Sequence, residues 1–168
     1  MPTSNLNPIL QLSCETLAYQ GLQEGLREKL ETACREYHHL RPQDPPWRVT
    51  SARRSLFTQA AEMAAMTAEQ LRGLYCHGGI PSYVEELIQA MPLTPEGAYS
   101  ILCHRGEGYI SKHLFGAAVD LAPDRILDQK LFRELVAKYR LTLLDERQNG
   151  IPCFHLADPD AEIRIVRE

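Results

Sequence analysis

The chain contains no apolar run long enough to cross a bilayer, so a membrane span is not expected. It has no basic excess either. Eighteen Lys and Arg stand against 22 Asp and Glu, for a net charge of -4. That balance gives no general attraction to nucleic acid or to an anionic membrane, and no basic surface for adhesion to an anionic cell wall. Cysteine is sparse, odd in number and scattered (Cys14, Cys34, Cys76, Cys103, Cys153), with no Cys-x-x-Cys spacing. A disulfide framework or zinc ribbon is therefore not expected. Cys76-His77 and Cys103-His104 are adjacent pairs whose side chains would point apart on a strand, which makes each a poor ligand pair. Internal repeats and low-complexity linkers are absent. Residues 1–8 lack a charged region and a long apolar stretch, so no secretory leader is read there and synthesis in the cytoplasm is expected.

What remains is ordinary globular material, 168 residues with 44% hydrophobic and 24% charged side chains. One domain over 1–168 is expected, with an N-terminal helical part (1–45) and a core (46–168). Leu17, Leu22, Leu26, Leu30 and Cys34 recur at helical spacing, predicting a helix over 14–39 that His38-His39 close and Pro42, Pro45 and Pro46 prevent from continuing. Trp47–Ser51 reads as a short strand. Ser55 reads as the N-cap of a helix to about Leu74, with Met63 and Met66 as core packing. Gly78-Gly79-Ile80-Pro81-Ser82 breaks the chain before a short helix to about Ala90. Residues 93–110 show little periodicity and read as the rim of a cleft. A helix beginning at Asp124 or Leu127 runs through Tyr139, with Leu127, Leu131, Leu135 and Val136 inward. Strands are expected at 141–145, 153–157 and 163–166. This is an α+β pattern, a small, mainly antiparallel sheet packed with helices.

The most informative segment is Ser111-Lys112-His113-Leu114-Phe115-Gly116-Ala117-Ala118-Val119-Asp120-Leu121. A carboxylate within so apolar a run is costly to bury without a partner. Read as a strand, 117–121 points Ala117, Val119 and Leu121 one way and Ala118 and Asp120 the other. In Cys153–Ala157, Phe154 and Leu156 share one face and Cys153, His155 and Ala157 the opposite one. If the two strands are neighbours, Asp120 and His155 stand roughly 5 Å apart at Cβ. His113, in a loop turned by Gly116, could then close a triangle. Imidazole and carboxylate together suit zinc, and three protein ligands leave one position open, as catalytic sites do.

The same segment resembles the Ser-x-His-x-x-Gly-x-Ala-x-Asp signature of the zinc D-Ala-D-Ala carboxypeptidase and L-alanyl-D-glutamate endopeptidase family, which includes phage endolysins. Trp47–Ser55 is similar to that family's strand followed by Ser-Gly-x-Arg-Ser, Gln59 falls where it often has a glutamine, and Phe154-His155-Leu156 is similar to its closing histidine strand. The resemblance spans roughly 46–157 and implies a hedgehog- or DD-peptidase-like fold. It implies zinc ligands His113, Asp120 and His155, with Arg54 facing the substrate, where a guanidinium can bind a carboxylate or a developing oxyanion. It further implies Ser111 and Gln59 in substrate binding and a peptidoglycan peptide as substrate, reached from the cytoplasm through a phage-type release system.

Two positions depart from the family. Ala52 replaces a glycine, which requires a backbone without positive φ. Pro152 and Cys153 stand where the family places its proton-carrying group. Asp145 and Glu146, after Leu141–Leu144, are the carboxylates that could reach the site from an adjacent strand, although the turn before Asn149-Gly150 also accounts for them. The alternative function is a catalytically impaired zinc-binding relative with a structural or peptide-binding role.

Overall fold

The order of elements follows the punctuation of the sequence closely enough to be built from it. The computed structural model describes residues 9–76, 81–106 and 108–168. In chain order these form β1 (Leu10–Leu12), α1 (Thr16–Gln20), α2 (Glu24–Leu40), β2 (Trp47–Ser51), α3 (Leu56–Ala64), α4 (Ala68–Tyr75), α5 (Ser82–Gln89), α6 (Pro95–Cys103), β3 (Ala118–Leu121), α7 (Gln129–Lys138), β4 (Thr142–Asp145) and β5 (Phe154–Ala157). Short 3-10 turns lie at Lys112–Phe115, Pro123–Arg125 and Glu146–Asn149. The leader reading of residues 1–8, the break at Gly78-Gly79-Ile80 and the Cys76-His77 pair fall wholly or partly outside the described residues. The strands form one sheet in the order β1-β2-β3-β5-β4, antiparallel at every junction except the parallel β1–β2 pair. The protein is α+β, as the pattern requires.

Two compact units divide the chain. The first comprises the residues up to Arg53 together with Gly116–Glu162. It holds the whole sheet, α1, α2 and α7. Leu26, Leu30, Ala33, Cys34 and Tyr37 of α2 recur every three to four residues, as do Phe132, Leu135 and Val136 of α7. They pack with Trp47, Val49, Val119, Leu121, Phe154 and Leu156 of the sheet into one apolar core. Four aromatic rings run through it in sequence, Tyr37–Trp47, Trp47–Phe132 and Phe132–Phe154, each pair 5.2 Å apart at the centroids. Each such buried side chain contributes about 1.5–3 kcal/mol. His38 ties the end of α2 down, with Nδ1 2.9 Å from the Cys34 carbonyl and Nε2 3.0 Å from that of Pro45.

The second unit comprises Arg54–Phe115 and Ile163–Glu168. Ser55 caps α3 as expected, its side chain accepting from the Thr58 amide at 3.1 Å. Met63 is fully buried, and Phe57 meets Tyr99 edge-on at 5.6 Å. The buried Arg105 donates to the carbonyls of Leu102 and Val166, at 2.8 and 2.5 Å, which fastens the chain end.

Several expectations are corrected by local chemistry. The helix over 14–39 is two helices, because the chain turns at Gly21-Leu22-Gln23, where the Gln23 amide donates to the Gly116 carbonyl at 2.8 Å. Gly116 has φ +72°, and a Cβ there would sit 2.4 Å from the Gly21 carbonyl oxygen, so conformation and space both require glycine. The helix from Ser55 stops at Ala64 because Thr67 and Gln70 form a capping box that starts α4. Residues 93–110 hold α6, whose Thr94 cap and Pro95 in the first turn are start signals rather than breaks. Leu127 is exposed, because α7 starts only after the Asp128 cap. Residues 163–166 form no strand. The parallel edge strand β1 has no counterpart in the sequence reading.

Candidate metal centre

Alternation along β3 places Val119 and Leu121 in the core and turns Asp120 to the opposite face. The register is the one the alternation needs. In the antiparallel β3–β5 pair Asp120 lies opposite His155, with Val119 opposite Leu156 and Leu121 opposite Phe154. His155 Nδ1 is 3.0 Å from Asp120 Oδ1, and both side chains are largely buried. On its other side Asp120 lies opposite Ser51, through a bulge in β2 that the sequence does not announce. The extra residue, Thr50, donates its hydroxyl to the Asp120 carbonyl at 3.4 Å. A bulge of this kind re-aims neighbouring side chains, here placing a polar row across three strands.

The β4–β5 connection folds back onto that row. Gly150, at φ +76°, ends the Glu146–Asn149 turn, and the Glu146 amide donates to the Cys153 carbonyl at 3.1 Å. The Cys153 thiol donates to Glu146 Oε2 at 2.7 Å, while Glu146 Oε1 stands 4.0 Å from His155 Nδ1. Asp120, Glu146 and Cys153 each present one ligand atom, all within 4.8 Å of one another, and this group could hold a metal ion. Its donors are two carboxylates and a thiol, with imidazole alongside. Such a set fits a borderline divalent cation better than magnesium or calcium.

Asp145 is not part of the cluster. It lies in register with Phe154, caps the Arg147 amide at 3.2 Å and pairs with Arg147 at 2.7 Å and Arg133 at 3.4 Å. The Arg147 guanidinium holds its carboxyl below the usual range. Arg147 in turn lies over the Phe154 ring, 4.7 Å from its centroid. Of the two candidate carboxylates, Glu146 faces the site and Asp145 braces the turn that presents it.

The other sequence-derived residues gather within the second unit. His113 is buried in the Lys112–Phe115 turn. Its amide is 3.3 Å from Ser111 Oγ, and its carbonyl accepts from the Arg54 amide at 3.2 Å. The Arg54 side chain is largely covered, beside an exposed Arg53. It donates to Gln59 Oε1 at 3.2 Å and forms an ion pair with Glu62. Gln59, fully buried, donates to the Tyr75 hydroxyl at 2.8 Å. Glu62 and Tyr75 went unread in the sequence, although Gln59 and Glu62 are three residues apart on one helix face and could have been paired. Ala52 is buried and lies outside the left-handed region, so alanine carries no backbone penalty there.

None of the chemistry in this cluster depends on likeness to another protein, and the comparisons supply none: no protein-family model, curated protein or solved structure matches this chain.

Proposed function

We propose that the chain is a zinc-dependent peptidase acting on peptidoglycan peptides. The observation that carries the reading is the Asp120–His155 pair, opposite each other on β3 and β5 with Glu146 4.0 Å from the same imidazole. Asp120 and His155 would hold the ion, with His113 as the further ligand that the Ser111–Leu121 signature implies. Zinc so held would supply a Lewis acid for the peptide carbonyl and would lower the pKa of bound water toward neutral.

The side chains account for the rest of the hydrolysis. Glu146 takes a proton from water as its oxygen bonds to the carbonyl carbon, and delivers that proton to the amide nitrogen as the carbon–nitrogen bond breaks. The Cys153 thiol, donating to Glu146 Oε2, orients the carboxylate for this transfer. The resemblance assigns a substrate carboxylate to Arg54, whose guanidinium is held by Gln59 and Glu62. One observation favours the impaired, metal-binding alternative: a thiol fills the position where the resembling family carries its proton-carrying group.

The test is digestion of purified peptidoglycan by the zinc-loaded chain, with mass analysis of the fragments beside metal quantification. Peptide-bond cleavage is expected, with loss of at least about 100-fold in Glu146→Gln and loss of bound zinc in His113→Ala. A chain that binds one zinc and releases no fragments is the impaired relative. A chain that carries no metal, with activity intact in His113→Ala, overturns the mechanism.

A further inference from the structure

Among the described residues, the two buried cysteines, Cys34 and Cys153, have different surroundings. Cys34 lies in the apolar core, donates to the Ile9 carbonyl at 3.3 Å, and burial pushes its thiol well above the usual range. Cys153 is also buried but stands outside that core, against the Glu146 carboxylate and within 4.8 Å of Asp120. A thiol placed merely to fill apolar space has no need of two carboxylates. Asp120 is buried and Glu146 partly so, and two carboxylates this close are stabilised in their charged form by a cation between them.

We infer that Asp120, Glu146 and Cys153 form a thiolate-containing position for a soft divalent cation, zinc or one of its surrogates cobalt and cadmium. The position overlaps the zinc site proposed above through Asp120, and so rests in part on that reading. His155, with Nδ1 3.0 Å from Asp120 Oδ1 and 4.0 Å from Glu146 Oε1, is the fourth donor. All four residues belong to the sheet-bearing unit, so the set is complete within it. Coordination replaces the Cys153 S–H bond with a sulfur–metal bond and sends the proton to solvent.

Four protein ligands make a closed site, whereas three leave a position for water. Glu146 is a ligand in the closed set and the proton carrier in the open one, and it cannot be both at once. An ion on the thiolate set therefore corresponds to a resting form. Displacement of Cys153 and Glu146 from the ion by a competing ligand, with a proton from solvent returning to the sulfur, would return the carboxylate to catalysis. A sulfur donor also sets the metal preference, since thiolate favours zinc, cobalt and cadmium over magnesium and calcium.

X-ray absorption at the zinc edge of the loaded wild-type chain tests this without any substitution. A single sulfur scatterer at about 2.3 Å from zinc is expected. In parallel, the cobalt-loaded wild-type chain should show an intense near-ultraviolet thiolate-to-cobalt charge-transfer band. Cys153→Ser should abolish that band while any cobalt it retains sits among oxygen and nitrogen donors. One equivalent of zinc with only oxygen and nitrogen neighbours overturns the thiolate position and leaves the peptidase reading standing. A sulfur shell that persists in Cys153→Ser overturns it as well, by assigning the sulfur to another cysteine. A wild-type chain that binds neither metal overturns both readings.

Discussion

The two faces of the β3–β5 pair differ in everything except their backbone. Val119, Leu121, Phe154 and Leu156 are fully buried on one face under α2 and α7. Asp120 and His155, one residue along on the same strands, carry the polar cluster on the other. Strand alternation alone separates the two sets, so the residues that hold the unit together are not those that would hold a metal. The β4–β5 turn joins the faces: Asp145 pairs with Arg147, which lies over Phe154, while the next residue, Glu146, reaches Cys153 and His155.

The separation can be broken from the apolar side first. Phe154→Ala should cost about 3–5 kcal/mol, because it opens a cavity beside Phe132 at the end of the ring series. Urea unfolding would measure the loss, and metal affinity should fall with it because β5 carries His155. Asp120→Asn tests the polar side. It should weaken metal binding by more than about 100-fold, beyond what loss of a supporting hydrogen bond costs, with a smaller shift of the urea midpoint than Phe154→Ala. Titration calorimetry and unfolding on the same samples compare the two effects. An Asp120→Asn chain as destabilised as Phe154→Ala would show that the faces are coupled.

The smallest effect is expected at the joint between them. Arg147 holds the Asp145 carboxyl below its ordinary value. A depressed folded-state pKa contributes stability above the unfolded-state value, about 3.9, and that stability is lost as pH falls through the folded value. Asp145→Asn should therefore be modestly less stable than wild type near neutral pH, with the gap narrowing below about pH 4. Unfolding curves at several pH values check this. A gap that is constant from neutral pH to the bottom of the acid range would remove the Asp145–Arg147 ion pair from the account of the turn.

Much of the site was legible in the residues. Alternation with a period of two put Asp120 and His155 on the faces opposite the apolar residues of their strands, and the pairing of β3 with β5 then sets them side by side. The turn at Gly116 was legible as a loop just before a strand, while its positive φ and its contact with the Gly21 carbonyl came from the fold. The starts of α4 and α6 turn on single capping side chains, Thr67 with Gln70 and Thr94 before Pro95, which periodicity alone does not announce. The bulge at Thr50 left no mark at all, since it exists only in the pairing of β2 with β3.

By itself, then, the sequence determined the α+β class, the central strands and the candidate ligands His113, Asp120 and His155, because these depend on local periodicity and on side-chain chemistry. The tertiary structure alone decided between Asp145 and Glu146, which are adjacent, equally charged and equally placed in the sequence. Only the fold of the Glu146–Asn149 turn sends one carboxylate to Arg147 and the other to Cys153. It likewise decided that Cys153 meets the Glu146 carboxylate while Cys34 lies in the apolar core, a difference of surroundings that no residue carries in its own identity.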